Sequence, residues 1–339
     1  MKRLEGASSA WPPLVLVAVL LGLPLGGRTS AQTPGGRTPT TVRLLTVGNS
    51  FSQDATRYLP DVVKAQGDVL VHHQAGIPGG TLQQHCEKAD AHAKDPADPR
   101  GLYVNSKLSL VQELKAEPWD FVTIQQASIR SHDYATYQPF ADRLVAIIKE
   151  LAPGARIVVH ETWAYRRDDP RFDPKKKPAP GEPADQEAMY HGLAEAYHTL
   201  AGHLEAPIIP VGDAFHIADA DAKWGYRPDT KFDLAAAVMP ALPDQTHSLH
   251  VGRKWVKQED GSFKMTMDGH HSSVAGRYLG ALTFYESLYG KSVVGCTFRP
   301  NGVNAEYAAF LQESAHQATA ALKGTSFQIP RGVPASASR

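Results

Sequence analysis

Apolar positions along this chain come in short, nearly continuous runs, separated by stretches in which they recur at helical spacing. Residues 42–47, Val-Arg-Leu-Leu-Thr-Val, form the first run, and Gly48 ends it. Runs this short, bounded by turn residues, predict strands buried on both faces. Runs at 69–74, 119–124, 156–160 and 207–211 predict four more. Between them the period changes. Phe140, Leu144, Ile147, Ile148 and Leu151 fall on one helical face. Further helices are expected over 53–66, 108–114, 184–204 and 273–289. Pro60 lies inside the first of these and must kink it or begin its second half. Strands alternating with helices predict an α/β protein: a flavodoxin-like three-layer sandwich with a mostly parallel five-stranded sheet.

Three stretches break the alternation. Residues 87–105 are charged and polar, and residues 168–186 are rich in Pro, Lys and Asp. Both are expected to be surface insertions, the second a loop or a lid. Residues 251–257 and 262–267 read as a β-hairpin turned at Glu259-Asp260-Gly261, giving a third insertion over 251–267. The domain itself is expected to span 42–322, after a flexible lead-in over 32–41 and before a disordered tail over 323–339.

The start of the chain has a different character. Lys2 and Arg3 precede an apolar run over 14–25, and Thr29-Ser30-Ala31 supplies small residues for cleavage. This is the pattern of a secretory signal peptide over residues 1–31. The run is short for a permanent span, so the expectation is a secreted or periplasmic protein with no stable membrane anchor after cleavage. That compartment permits disulfides. Cys86 and Cys296 are the two cysteines. A bridge between them is expected, two buried thiols being the alternative. The 35 basic and 35 acidic residues cancel, which removes the charge excess that a nucleic-acid partner would select.

Candidate chemistry begins at Ser50, which stands at the carboxyl end of the first strand and the amino end of a helix. Ligands of open α/β sheets bind at such edges, and free amides at a helix start favour developing negative charge. Ser50-Phe51-Ser52-Gln53 also fits a capping box, in which Ser50 would merely cap the helix. Near the other end, Asp268-Gly269-His270-His271 places a carboxylate three residues before a histidine, across a turn that enters the last helix. Asp268 would then either fix the tautomer of His271 and stabilise the imidazolium formed when His271 takes a serine proton, or simply close a turn in which His271 caps or packs. Ser272 or Ser273 can cap the helix that follows.

Together these residues resemble the SGNH (GDSL-type) serine hydrolases, over roughly residues 42–289. Gly48-Asn49-Ser50-Phe51 stands where that family has Gly-Asp-Ser-Leu around its nucleophile. Ala75-Gly76-Ile77-Pro78-Gly79-Gly80-Thr81 resembles the second block, and Asp268-x-x-His271 the last. The Gly-Asn-Ser-Phe start, with Gln125-Gln126 after the third strand, looks closest to a branch of the family filed as a domain of unknown function. The resemblance implies Ser50 as nucleophile, His271 as base and Asp268 as its orienter. It implies an oxyanion hole from the Gly79 amide and from a glutamine replacing the family's asparagine, Gln126 first and then Gln125.

Ester hydrolysis by such a set needs no cofactor, and none is expected. The expected substrate is a small-molecule or carbohydrate ester, acetyl esters of carbohydrate foremost. Glu161, Trp163 and Tyr165 follow the fourth strand, where they either line a substrate cleft or pack the core. His72, His73, His160, His247, His250, His270 and His271 supply donors for a rival metalloenzyme reading, but without a His-Glu-x-x-His or cysteine pattern no metal is expected. A non-catalytic or weakly catalytic carbohydrate-binding protein on the same fold is the alternative from another class, motivated by the glutamine replacement.

Overall fold

The computed structural model describes residues 38–330. The leader expected over 1–31 lies outside these residues, as does most of the lead-in. Strand β1 (Thr41–Gly48) runs into helix α1 (Ser50–Ala55) and, after a turn, α2 (Leu59–Ala65). Pro60 sits in the first turn of α2, where its missing N–H has no helical partner to lose. Strand β2 (Val69–Gly76) leads through the glycine loop to α3 (Leu82–Lys94) and α4 (Leu110–Ala116). Then come β3 (Phe121–Ile124), α5 (Phe140–Leu151), β4 (Arg156–Glu161), α6 (Gln186–Leu204), β5 (Ile208–Pro210) and α7 (Val211–Ala220). A hairpin, β6 (His250–Lys257) with β7 (Phe263–Ser272), precedes α8 (Val274–Tyr289) and α9 (Ala305–Ala321).

The main sheet has the order β2-β1-β3-β4-β5, and each of its pairings is parallel. Its central strands are buried on both faces, with Leu44, Leu45, Val47, Val122, Ile124, Val158 and Val159 fully inside. This explains why their sequences read as continuous apolar runs. Helices α3, α4 and α5 pack together as one layer. Helices α1, α2, α7, α8 and α9 form another, while α6 lies against β4 and β5. The strand order reverses between β1 and β3, and a doubly wound sheet opens its crevice at that point. Ser50 follows β1 directly.

Several expectations need correction. Residues 87–94 are not a surface insertion but the second half of α3, which starts with a capping box formed by Thr81 and Gln84. The tail expected from 323 is placed as far as 330: the Ile208 amide donates to the Phe327 carbonyl, and Ile329 is buried. Residues 331–339 lie outside the description. Cys86 and Cys296 are free, buried thiols. Cys86 lies on α3 and donates to the Phe140 carbonyl of α5, whereas the Cys296 carbonyl accepts from Gln312 on α9. The two belong to different helical layers, so no bridge joins them. Among the described residues, no helix is long and apolar enough to cross a membrane.

Candidate active site

The first helix is capped by Asn49, not by Ser50. The Asn49 Oδ1 accepts the Phe51 amide at 2.9 Å, which leaves Ser50 at the first helical position with its hydroxyl uncommitted to the cap. Asn49 also donates from Nδ2 to the Gly80 carbonyl at 3.0 Å, pinning the glycine loop beside the nucleophile turn. Gly48 must lack a side chain, because a Cβ there would collide with Ser52 Oγ and the Gln125 carboxamide. Its carbonyl accepts from the Ile77 amide and faces Nε2 of the buried His85 at 3.1 Å. Burial pushes His85 down to about 4, so this ring is neutral and donates to that carbonyl.

The partners of Ser50 arrive from the hairpin. His250 pairs with Ser272 and Gly252 with Asp268, so Val251 alone stands opposite Gly269, His270 and His271. The turn expected at Asp268–His271 is therefore a bulge in strand β7. A bulge re-aims side chains that regular pleating would send to opposite faces. Here it brings the His271 ring against the Asp268 carboxylate, with Nδ1 at 3.1 Å and 3.2 Å from its two oxygens. The His271 amide also donates to Asp268 Oδ1. On the other side of the ring, Nε2 lies 3.0 Å from Ser50 Oγ. Ser273 caps α8 immediately afterwards.

The electrostatics follow from this geometry. The hydrogen bond to Asp268 holds the His271 imidazolium and raises its pKa above the ordinary histidine value, with burial opposing. Burial also works against the Asp268 carboxylate, but its bonds from the His271 ring and amide keep it well below the usual range. His270 moves the other way, because burial lowers it. Its ring packs on Tyr165 at 5.6 Å.

Other residues hold the bulge in place. Asp54 of α1 accepts the Ser272 amide and the Arg277 guanidinium, each at 2.9 Å, tying the nucleophile helix to the segment after His271. The Arg166 amide donates to the Gly269 carbonyl at 2.7 Å. Gly269 itself faces the Asp169 carboxylate, which a Cβ would strike. Sequence reasoning missed Asp54, His85, Arg166 and Asp169. Only the Asn49 cap left a local signal, an Asx residue directly before a helix.

Of the two places expected for the residues after the fourth strand, Glu161 and Trp163 take the core, while Tyr165 is buried and borders a cavity. Trp163 does not line a cleft. It is fully buried, stacked between Phe51 at 4.4 Å and Phe215 at 4.6 Å, and its Nε1 donates to the His270 carbonyl at 2.9 Å. Glu161 is also fully buried, with Oε2 accepting the Asp213 amide. Tyr165 is buried as well and meets Ser128 Oγ through its hydroxyl.

Neither glutamine carboxamide is available to an oxyanion. Gln125 Nε2 donates to Asn49 Oδ1 and the Gln126 carbonyl, while its Oε1 accepts from Ser52 Oγ. Gln126 Nε2 donates to the carbonyl and hydroxyl of Thr136, and its Oε1 accepts the Leu82 and Ala127 amides. Both side chains are structural clasps between loops. Gly79 is exposed, in the left-handed region at φ 63°, and its amide has no acceptor among the described residues. The same holds for the Ser50 amide.

The fold and these contacts define a three-layer α/β protein with a serine, a histidine and an aspartate in register at the carboxyl edge of its sheet. A family model described as a domain of unknown function (DUF4886) matches residues 43–222, and the chain belongs to that family. The matched stretch carries Ser50 and stops short of Asp268 and His271. No curated protein matches the chain. A DUF4886 family protein from Bacteroides uniformis ATCC 8492 is 23% identical with a TM-score of 0.62, over 84% of this chain and 97% of that one. A candidate SGNH hydrolase from Slackia heliotrinireducens is 21% identical with a TM-score of 0.42, over 73% and 98%. A candidate GDSL-like lipase from Parabacteroides merdae ATCC 43184 is 14% identical with a TM-score of 0.41, over 73% and 95%.

Proposed function

We propose that this protein is an exported serine esterase of the SGNH type that removes acyl groups, acetyl foremost, from carbohydrate. One observation carries the reading. Ser50 Oγ lies 3.0 Å from His271 Nε2, and the far nitrogen of the same ring is held by Asp268. In the reaction Ser50 Oγ attacks the ester carbonyl carbon while His271 Nε2 takes its proton. The tetrahedral intermediate collapses as His271 returns that proton to the leaving sugar oxygen. Water then repeats the sequence on the acyl-enzyme, with His271 again as base, and frees the acid. With both glutamine carboxamides engaged, the Ser50 and Gly79 amides are the donors left for the oxyanion.

A carbohydrate substrate is supported by the leader-like residues 1–31 and by the space next to the site. A cavity of about 390 Å³ is lined by Tyr165, Arg171, Phe172, Lys176, Lys177 and Glu182, among others. It shares Tyr165 with the wall around His270. Aromatic faces and charged groups around one opening offer a sugar ring both stacking and hydrogen bonds.

The direct test is a fluorophosphonate, which phosphonylates only an activated serine. Labelling of the wild-type chain and its loss in Ser50→Ala is the expected result. A folded wild-type chain that takes no label would instead favour a binding protein that uses the same cleft without turnover.

The electrostatics add a pH dependence. His271 acts as a base only when neutral, so activity is lost on the acid side as the ring protonates. Because the Asp268 bond raises the His271 pKa, the acid limb of kcat/KM is expected above the ordinary histidine value of about 6.5. Asp268→Asn should shift the residual activity's limb to lower pH. An acid limb below the free-imidazole value in the wild type would contradict the assignment.

A further inference from the structure

We propose that Glu161, His198 and Asp213 form a site for a divalent transition-metal cation of the zinc class, joining β4, α6 and α7 outside the Ser50 constellation. One donor atom from each of the three side chains lies within 4.8 Å of the others. None of the histidines singled out in the sequence belongs to this cluster, because His198 sits in an ordinary helical stretch of α6.

The need for a ligand is sharpest at Glu161. Its side chain is fully buried, and Oε2 accepts the Asp213 amide at 3.2 Å. Oε1 is buried too and has no partner among the described residues. A buried carboxylate oxygen left unpaired is costly, and such groups normally hold a proton, a hydrogen bond or a cation. The other two donors are oriented. The Tyr190 hydroxyl donates to Asp213 Oδ1 at 3.0 Å, and the His198 ring packs edge-on against Phe327 at 4.9 Å.

The donor set selects the metal. One imidazole nitrogen and two carboxylates match zinc, whose bonds of about 2.0–2.2 Å place neighbouring donors roughly 3.4 Å apart. His198 and Asp213 are half-buried, so small rotamer changes can close the remaining gap, and solvent can supply a fourth ligand. Two carboxylates neutralise the dication. Magnesium and calcium prefer all-oxygen shells and fit less well. The competing occupant is a proton shared by the two carboxyls.

The test uses the full chain, stripped with a chelator and dialysed, then titrated with Zn²⁺ or Mg²⁺. Calorimetry should show zinc uptake at a single site per chain. Melting should rise by about 5 °C with excess zinc and stay unchanged with magnesium. Glu161→Gln and His198→Ala should abolish this response. Gln keeps an acceptor for the Asp213 amide, and the His198 variant decides the matter if the buried one does not fold. Asp268, His270 and His271 also bring donors within 4.8 Å of one another. The response must therefore persist in the Asp268→Asn/His271→Ala double variant. The proposal is overturned if zinc leaves wild-type melting unchanged, if magnesium acts equally, or if the response survives Glu161→Gln and His198→Ala. In those cases the shared proton is the occupant.

Discussion

With His271 replaced by alanine, kcat/KM on an aryl acetate is expected to fall by about 10⁴-fold or more, without loss of the fold. His270→Ala is expected to cost less than about tenfold, because that ring transfers no proton. The contrast matters because the two histidines are adjacent, their ring centroids are 4.2 Å apart, and both approach the same carboxylate. His270 Nδ1 is 3.4 Å from Asp268 Oδ1, only slightly farther than His271 Nδ1 at 3.1 Å. What separates them is the far side of each ring. His271 Nε2 meets Ser50 Oγ, while the His270 ring faces Tyr165. Asp268→Asn should cost about 10⁴-fold, since an amide in place of the carboxylate favours the wrong tautomer of His271. Steady-state rates on the three variants, with circular dichroism for folding, decide the assignment. A dead His270→Ala beside an active His271→Ala would reverse it.

The layout of the sheet was legible because its central strands are buried on both faces, which leaves nearly continuous apolar runs such as 42–47 and 119–124. The approach of Ser50 to the Asp268–His271 pair was legible in outline. One residue follows a strand of the main sheet, and the others precede α8. How they meet was not legible. The bulge depends on β6 offering only Val251 opposite three residues of β7, and pairing across a hairpin leaves no trace within Asp268-Gly269-His270-His271 itself. Helix α3 was missed because its outer face is charged, although Thr81 and Gln84 form a capping box at its start. Gln126 was misassigned for a similar reason. Its partner Thr136 lies ten residues on, in a loop whose path no local pattern gives. Trp163 and Glu161 look like cleft residues from their place at the carboxyl end of β4. The stack with Phe51 and Phe215, and the cover from α7, come from distant segments.

Arg166→Ala is expected to destabilise the protein by about 3 kcal/mol, the low end of what a broken buried ion pair costs. In the fold, the Arg166 side chain is 1% exposed. Its Nε and Nη2 grip the two Asp168 oxygens at 2.6 Å and 3.0 Å. Nη1 donates to Gln245 Oε1 at 2.8 Å and to Ser248 Oγ at 3.3 Å, and the guanidinium stacks 4.5 Å from the Tyr226 ring centre. Gly252, at φ 74°, has no side chain where one would strike this group. Removing the guanidinium leaves Asp168 without its cation. That carboxylate is 23% exposed and can rehydrate in part, which sets the cost near the low end. Alanine keeps the backbone amide that supports the Gly269 carbonyl inside the bulge that aims His271, so activity should fall only as far as that segment shifts when the side chain is lost. Arg166→Lys should rescue little, since a single ammonium cannot reproduce the bidentate grip or the stack on Tyr226. Urea denaturation of the three proteins, followed by tryptophan fluorescence, measures the effect. A loss below about 1 kcal/mol in Arg166→Ala would show that the hairpin is held by its own strand pairing, without the buried cation.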